Sequence, residues 1–208
     1  FDIFGEIAIV KLPNFSDYYE KVIAEALLSS HRNIKTVCVD LGVQGQLRIR
    51  NLKIISGENS FTSVHKENGM IFEADISKVY FSPRLATERK RLSSLVSKNE
   101  RVLDAFAGVA PFSISIAKKG CKVTSLDSNP EAMKWALRNF SANGLEEKQI
   151  NFISSKFEEY DFGSQKFDRI IMNNPTNCLP FLDVATNLVK QAGIIHFYII
   201  CPKNESFT

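Results

Sequence analysis

The spacing of apolar residues changes near residue 80. Before that point, short alternating or continuous apolar runs predict strands, and one amphipathic stretch predicts a helix. The predicted strands cover residues 7–11, 36–41, 47–55 and 70–75, and the predicted helix covers residues 17–29. Glycine-containing turns between these runs favour antiparallel pairing of neighbouring strands. We therefore expect a small α+β domain over residues 1–80.

Beyond residue 80, apolar strands alternate with amphipathic helices. Ser82 as an N-cap and Pro83 at the first helical position open a helix that joins the two parts. Five further strands are predicted at residues 101–106, 121–127, 150–154, 169–173 and 194–201, with helices at 112–119, 131–142 and 179–192. This alternation builds βαβ units, whose strands lie parallel and are covered by helices on both faces. Residues 81–208 are therefore predicted to form a Rossmann-like α/β domain.

Composition narrows the class of protein. The 208 residues are 44% hydrophobic and 24% charged, and the net charge of +3 is too small to indicate non-specific binding of nucleic acid. Four widely spaced cysteines and three scattered histidines favour neither a zinc site nor a disulfide framework, so we expect a reducing, cytoplasmic setting and no metal. The longest apolar run, residues 193–201, is shorter than the roughly 20 residues of a membrane span. Because the chain begins at Phe1 without a methionine, we expect a fragment.

The segment DAFAGVAPF, residues 104–112, follows a predicted strand, and we call it the glycine loop. It contains Gly108 in a turn and Pro111 near the start of the next helix. Small residues at the carboxyl end of a parallel strand let a ligand approach the backbone, at the edge where open α/β sheets bind ligands. No P-loop lysine follows, so hydrolysis of nucleoside triphosphates is not predicted. An ordinary strand-to-helix turn would have the same composition.

Two later strands also end in polar residues. Asp127 follows the glycine loop by about 20 residues, the spacing at which an acid accepts hydrogen bonds from both hydroxyls of an adenosine ribose. The alternative is that Asp127 or Ser128 caps the next helix. Asn173, Asn174 and Pro175, which we call the Asn turn, offer amide donors and acceptors to a planar heterocycle. The alternative there is an ordinary Asn-Pro turn.

Together these segments resemble a known family. DAFAGVAPFSI, the acid in LDSNP and the Asn-x-Pro turn after FDRIIM are similar to class I S-adenosylmethionine-dependent methyltransferases. More narrowly, SKVYFSPRLATER resembles the archaeal and eukaryotic tRNA (guanine-37 N1)-methyltransferase family, and the likeness extends through FDIFGEIAIVKLP, GQLRIRNLKIISGE and VHKENGMIFEADISKVYF. The resemblance implies a class I methyltransferase sheet, S-adenosylmethionine as methyl donor without a metal, and methylation of N1 of guanosine 37 beside the anticodon. It also implies binding to the tRNA anticodon loop by a cytoplasmic monomer.

The resemblance implies roles for particular residues. Glu88 would be the base that takes the guanine N1 proton, and Arg48 would bind the guanine O6, with Arg50 as the alternative. Asn173 and Pro175 would position the target base. The cofactor and base pocket would be lined by Tyr80, Phe81, Arg84, Arg89, Asp104, Phe106, Ala107, Gly108, Pro111, Phe112, Asp127, Ser128, Ser155, Lys156 and Asn173.

The chemistry of guanine agrees with these roles. N1 carries a proton at neutral pH, so a carboxylate has to remove it, and an arginine can stabilise the charge that develops on O6. Considered alone, Glu88 is instead expected to form a surface ion pair with Arg84 or Arg89. Arg84, Arg89, Lys90 and Arg91 outnumber Glu88, so this stretch is predicted to be a patch that faces phosphate.

Three departures from the family pattern leave alternatives open. Asn174 stands where the family usually has leucine, and Ser155 or a backbone carbonyl would replace the usual aspartate at the adenine amino group. The usual fold also has a further small amino-terminal domain and two more strands after the fifth, and we expect neither within these 208 residues. The alternatives are an aminocarboxypropyl transferase of wybutosine synthesis, an adenine amino-group methyltransferase, and a degenerate relative that binds RNA without turnover. Thr176 stands where the adenine enzymes have an aromatic residue.

Overall fold

The computed structural model describes residues 1–12, 17–45, 47 and 49–200. Its amino-terminal sheet has four strands in the order β1-β2-β3-β4. The elements are β1 (Asp2–Phe4), β2 (Ile7–Val10), α1 (Asp17–Ser30), β3 (Thr36–Gln44) and β4 (Ile49–Gly57). β1 with β2 and β3 with β4 pair antiparallel, but β2 and β3 pair parallel. The antiparallel prediction is wrong for that pair, because α1 carries the chain back before β3 begins.

A separate antiparallel hairpin follows this sheet. It consists of β5 (Thr62–Glu67) and β6 (Met70–Asp75), joined through Asn68 and Gly69, which both have positive φ angles. β6 has the predicted bounds, whereas β5 was not predicted because its sequence TSVHKE has little apolar character. Buried Asn139 ties the hairpin to the second half of the chain: its Oδ1 accepts from Glu73 N at 2.7 Å, and its Nδ2 donates to Glu73 O at 3.1 Å.

The second half forms the predicted parallel sheet. Its five strands have the order β11-β10-β7-β8-β9, and every neighbouring pair is parallel. The elements are α2 (Ala86–Leu95), β7 (Arg101–Asp104), α3 (Pro111–Ala117), β8 (Lys122–Asp127), α4 (Pro130–Ala142), β9 (Ile150–Ser154), β10 (Phe167–Met172), α5 (Leu182–Leu188) and β11 (Val189–Phe197). A 3-10 turn, Pro83–Leu85, precedes α2, with Ser82 at its N-cap. The α/β fold with a small amino-terminal part is confirmed.

The prediction is wrong at the end of the last helix. A helix was expected over residues 179–192, but α5 ends at Leu188 and β11 begins at Val189. Val189 pairs with Phe167 of β10, and the register then shifts, so that Ile194 pairs with Arg169. Ala192 in this bulge has a φ of 61°, which a helix does not allow. Pairing along the sheet therefore overrides the helical composition of this stretch.

One hydrophobic cluster crosses the proposed boundary between the two parts. It brings Phe4 of β1, Phe72 of β6 and Phe81 together with Ile114 of α3 and Met133 of α4. Packing therefore does not separate the chain at residue 80, and the division into domains 1–80 and 81–208 stays a prediction. Among the described residues, no helix is both long enough and apolar enough to cross a membrane.

Candidate functional site

Two adjacent cavities lie at the carboxyl ends of the parallel strands. The first has a volume of about 140 Å³ and the second about 380 Å³, and they share Phe106, Ser128 and Asn174. The first is lined by Leu47, Tyr80, Phe81, Ser82, Leu85, Arg89, Phe106, Ala107, Gly108, Pro111, Phe112, Asp127, Ser128, Asn173, Asn174 and Pro175. Together the cavities are within the range of about 300–1,000 Å³ that is usual for small-molecule sites. The glycine loop and the Asn turn thus face one space.

The backbone of the glycine loop is unusually constrained. Gly108 and Ala110 both lie in the left-handed region, with φ angles of 55° and 64°. A methyl group at Gly108 would stand 3.5 Å from the carbonyl oxygen of Tyr80, in ordinary van der Waals contact. A non-glycine residue in this region costs of order 1 kcal/mol or more, and such strain concentrates at ligand-binding sites.

Asp127 connects the end of β8 to the glycine loop. Its Oδ2 accepts a hydrogen bond from Gly108 N at 2.7 Å, and its Oδ1 accepts one from Asn129 N at 2.8 Å. Burial raises the pKa of Asp127, while these two backbone hydrogen bonds oppose the rise. Each oxygen keeps a second lone pair for a further donor. The side-chain cap of α4 is Asn129, which accepts from Glu131 N at 3.0 Å, so the alternative that Asp127 or Ser128 caps this helix is wrong.

Asp104 is buried behind the glycine loop and does not line either cavity. Its Oδ2 accepts from Ser113 Oγ at 2.7 Å, and Ser113 Oγ in turn accepts from Ser125 Oγ at 2.7 Å. Its Oδ1 is buried and has no hydrogen-bond partner among the described residues. Burial raises the pKa of Asp104 to about 7. An unpartnered buried oxygen of this kind calls for a donor from outside the chain or for a proton.

The Asn turn contributes a second unpartnered oxygen. Asn174 lines both cavities, and its buried Oδ1 has no partner in the part of the chain that the structure describes. Asn173 and Pro175 line the first cavity, and their role in positioning the target base stays a prediction. The turn is closed by a hydrogen bond from Asn177 N to Asn174 O at 3.0 Å. A ligand that donates hydrogen bonds could satisfy this amide.

Glu88 lies beside the first cavity and not on its surface. Its carboxylate accepts from Arg91 Nε and Nη2 at 2.7 and 2.6 Å and from the Tyr198 hydroxyl at 2.6 Å. The Arg91 hydrogen bond is the main cause that lowers the pKa of Glu88, and Tyr198 acts in the same direction. The expected ion pair therefore forms, but with Arg91 instead of Arg84 or Arg89. The role of Glu88 as a base stays a prediction.

Arg89 lines the cavity but is not available to phosphate. Its side chain is 1% exposed, and its Nε and Nη2 both donate to Glu67 at 2.5 Å. Its guanidinium also lies over the rings of Phe81 and Phe112. The prediction that Arg89 belongs to a patch facing phosphate is therefore wrong, because a buried arginine with a carboxylate partner cannot face RNA.

The other cations of that stretch differ in exposure. Arg84 is largely exposed, bonds Asp2 Oδ1 at 2.5 Å, and lies outside both cavities, so the prediction that it lines the pocket is wrong in this structure. Lys90 is exposed. Arg91 is the partner of Glu88. The four cations of the segment thus lie in different environments instead of forming one surface.

The two candidates for binding the guanine O6 are Arg48 and Arg50. Arg48 lies outside the described residues. Arg50 lies between two carboxylates: its Nη2 is 3.8 Å from Asp2 Oδ2, and its Nη1 is 3.9 Å from Asp40 Oδ2. Its guanidinium is 5.6 Å from the centre of the Tyr80 ring. Because Arg50 has two carboxylate neighbours and does not line either cavity, the structure gives it a structural role.

The segment after β9 takes part in the second cavity. Lys156 lines this cavity and pairs with Glu159, while Ser155 lines neither cavity and donates its backbone N–H to Asp127 O at 3.1 Å. Sequence reasoning named Phe106 of the glycine loop but missed two rings that stand beside it. The ring centre of Phe106 lies 5.8 Å from that of Phe157 and 5.5 Å from that of Phe181. No local motif marks Phe157 and Phe181, because they come from two other connections.

Sequence reasoning also missed two polar partners. Glu67 of β5 and Tyr198 after β11 bind the neighbouring residues Arg89 and Glu88, from distances of 22 and 110 residues along the chain. The described residues contain no group of three or more His, Cys, Asp or Glu side chains that could hold a metal ion.

Comparison with known proteins identifies two matching family models. The model of the TRM5/TYW2 methyltransferase domain matches residues 63–207, and that of the TYW2 N-terminal domain matches residues 1–60. The chain is 39% identical over 208 residues to the tRNA (guanine(37)-N(1))-methyltransferase Trm5b of Pyrococcus abyssi. This alignment covers 100% of the chain and 62% of the relative. The chain therefore spans less than two thirds of the length of this relative.

Solved structures show the same relationship. A complex of aTrm5 with tRNALeu matches 94% of the chain with a TM-score of 0.87 and 38% identity, and the match covers 58% of that protein. Methanocaldococcus jannaschii Trm5 in complex with adenosine matches 94% of the chain, covering 57% of that protein, with a TM-score of 0.84 and 36% identity. A Pyrococcus horikoshii TYW2 in complex with MeSAdo is less similar, with a TM-score of 0.77 and 25% identity over 93% of the chain and 69% of that protein.

Proposed function

This chain belongs to the TRM5/TYW2 methyltransferase family, and from that premise we propose that it transfers a methyl group from S-adenosylmethionine to N1 of guanosine 37 in tRNA. The observation that carries the proposal is that the glycine loop and the Asn turn line one cavity. A methyl donor and an acceptor base have to meet in one place, and holding them there supplies much of the rate. The similarity to Trm5b and to a tRNA-bound aTrm5 supports the choice of substrate.

The residues of the site fit S-adenosylmethionine. Asp127 retains lone pairs for the two ribose hydroxyls, and the backbone of the glycine loop is open to the cavity. Asn174, which lines both cavities, has a buried oxygen without a partner among the described residues, and this cofactor carries amino groups at both ends. When bound, it supplies a methyl group that is already activated by a positively charged sulfur.

In this proposal the chain itself supplies positioning and one proton transfer. Glu88 accepts the proton of guanine N1, so that the nitrogen lone pair becomes available to the methyl carbon. Asn173 and Pro175 hold the edge of the base, and Arg48 stabilises the negative charge that develops on O6. The ring of Tyr80 lines the same cavity and can pack against the base.

The acceptor base has to leave the stack of the anticodon loop to enter this cavity.

We propose that the protein acts as a cytoplasmic monomer. The three cysteines within the described residues are free and buried, in agreement with a reducing compartment. Sedimentation of the protein alone would test the monomer, and a mass equal to twice the 23.4 kDa of one chain would contradict it.

A nucleoside digest tests the proposed reaction. Unmodified tRNA with guanosine 37 is incubated with the protein and methyl-labelled S-adenosylmethionine, digested, and examined by mass spectrometry. We expect labelled N1-methylguanosine. The matched control is the same tRNA with adenosine 37, which should remain unlabelled. Absence of label in the guanosine tRNA, or label at another nucleoside, would contradict the proposal.

One observation favours a second candidate function. Residues 1–60 match the model of the TYW2 N-terminal domain, so transfer of the aminocarboxypropyl group of the same cofactor to a wybutosine precursor is the alternative. The two reactions move different parts of the cofactor. A second incubation uses tRNA that carries the precursor, with label in the aminocarboxypropyl part. Label in that product, with none in guanosine 37, would favour the alternative.

A further inference from the structure

The carboxylate of Glu88 has few acceptor positions left. A carboxylate offers about four lone-pair positions, two on each oxygen. Oε1 accepts from Arg91 Nη2 at 2.6 Å and from the Tyr198 hydroxyl at 2.6 Å, which uses both of its positions. Oε2 accepts from Arg91 Nε at 2.7 Å, which uses one. One position, on Oε2, therefore remains for another proton donor.

Tyr198 is itself held against the wall of the cavity. Its backbone N–H donates to Met172 O at 3.2 Å, and Met172 directly precedes Asn173 in the Asn turn. Its ring lies 6.0 Å from that of Phe112, which lines the first cavity. The contact between Tyr198 and Glu88 is thus anchored to the same two segments, the glycine loop and the Asn turn, that form the site.

We propose that Tyr198 is a positioning residue for Glu88: together with Arg91 it orients the carboxylate so that the free position on Oε2 receives the guanine N1 proton. This inference rests on the proposed function. In the step, the N1–H bond breaks, the proton passes to Oε2, and the nitrogen keeps the electron pair that forms the new bond to the methyl carbon. The bond from that carbon to the sulfonium sulfur breaks at the same time, and its electron pair stays on the sulfur, which leaves as a neutral thioether. Tyr198 keeps its own proton and touches neither substrate nor cofactor.

The charged groups around Glu88 determine the sign of the pH effect. Arg91 on α2 and the Tyr198 hydroxyl both lower the pKa of Glu88, and His196 of β11 acts in the same direction. Burial is the main cause that raises the pKa of Tyr198, and the negative charges of Glu88 and Asp104 act in the same direction. Replacement of Tyr198 by phenylalanine removes a donor from Glu88, so the pKa of Glu88 rises. A base acts only when deprotonated, so the acidic limb of the rate profile moves to higher pH.

The experiment compares Tyr198→Phe with Tyr160→Phe in the full chain. Phenylalanine retains the ring that packs on Phe112, so the fold is preserved. Tyr160 is a matched control, because it is also half-buried and packs on an aromatic ring, that of Phe162. Single-turnover methylation of guanosine 37 is measured against pH with saturating cofactor. Independently of activity, carbon-13 NMR follows the titration of the Glu88 carboxyl without tRNA.

For Tyr198→Phe we expect a plateau rate about 10- to 100-fold lower, since misplacement of a catalytic group by about 1 Å costs up to 100-fold. We also expect an acidic limb and a Glu88 titration midpoint both shifted to higher pH, with unchanged cofactor affinity. Tyr160→Phe should match the unchanged protein in every measurement.

The outcomes separate this inference from the proposed function. An active unchanged protein, with a Tyr198→Phe variant that has the same pH profile and the same Glu88 midpoint, would overturn the inference and leave the function standing. A faster Tyr198→Phe variant would also overturn it, because Tyr198 would then restrain Glu88. An unchanged protein that does not methylate guanosine 37 would overturn the proposed function and, with it, the inference.

Discussion

Two neighbouring residues of α2, Glu88 and Arg89, form ion pairs of opposite character. Arg89 is buried, and its Nε and Nη2 donate hydrogen bonds to Glu67 of the hairpin. Its guanidinium also lies over the ring of Phe81. Glu88, one residue before it, is half-buried and bound by Arg91 of the same helix. The buried pair joins two elements of the fold, whereas the half-exposed pair leaves the Glu88 carboxylate partly accessible to solvent. The same helix therefore contributes a buried ion pair to the fold on one face and, in the proposed function, the base on another.

The largest effect should follow from removal of the Glu88 carboxylate. In the Glu88→Gln variant the amide cannot take the guanine N1 proton, so we expect single-turnover methylation to fall by roughly 10² to 10⁴. Calorimetry should show unchanged affinity for S-adenosylmethionine, and the urea midpoint should change little because the pair is partly exposed. Rates equal to those of the unchanged protein would exclude Glu88 as the base.

Loss of the buried partner should affect stability instead. Glu67→Gln leaves the Arg89 cation buried without its counter-charge, which typically destabilises a protein by about 3–5 kcal/mol. The free energy of unfolding from urea titration measures this, with Glu73→Gln as a control on β6, where the side chain has no ion pair among those the structure describes. Equal losses in the two variants would mean that the buried pair contributes little.

The same pair should make stability depend on acid. Burial by itself would raise the pKa of Glu67, but hydrogen bonds from His65 and Arg89 outweigh it and hold the pKa below its ordinary value of 4.5. A carboxyl with a lowered folded pKa contributes stability above its unfolded pKa and loses it as the pH falls through the folded pKa. We therefore expect a steeper loss of stability below about pH 4.5 in the unchanged protein than in Glu67→Gln. Parallel curves of unfolding free energy against pH would contradict this.

The smallest effect is expected at Lys90, which follows Arg89 in α2 and is exposed to solvent. Lys90 is exposed, so Lys90→Ala should weaken tRNA binding slightly and reduce the slope of log affinity against log salt by about one. Lys118→Ala is the control, since Lys118 is exposed at the end of α3, on another helix. A salt slope that is the same in both variants would place Lys90 away from the tRNA.

Much of the site could be predicted because its parts are local. The glycine loop, Asp127 and the Asn turn each follow a strand of a parallel sheet, and the carboxyl ends of such strands meet at one edge. The structure brings all three to the first cavity. The partners of α2 could not be predicted in this way, because Glu67 lies in a strand of polar composition and Tyr198 is 110 residues from Glu88.

The alternation of strands and helices, the parallel sheet and the three motifs at its edge follow from the amino-acid sequence, because they depend on apolar periodicity and on residues close together in the chain. The burial of Arg89 against Glu67, the binding of Glu88 by Tyr198 and Arg91, and the start of β11 within the predicted helix depend on the folded arrangement of the chain. These outcomes depend on contacts between distant segments, where burial and strand pairing outweigh local preference.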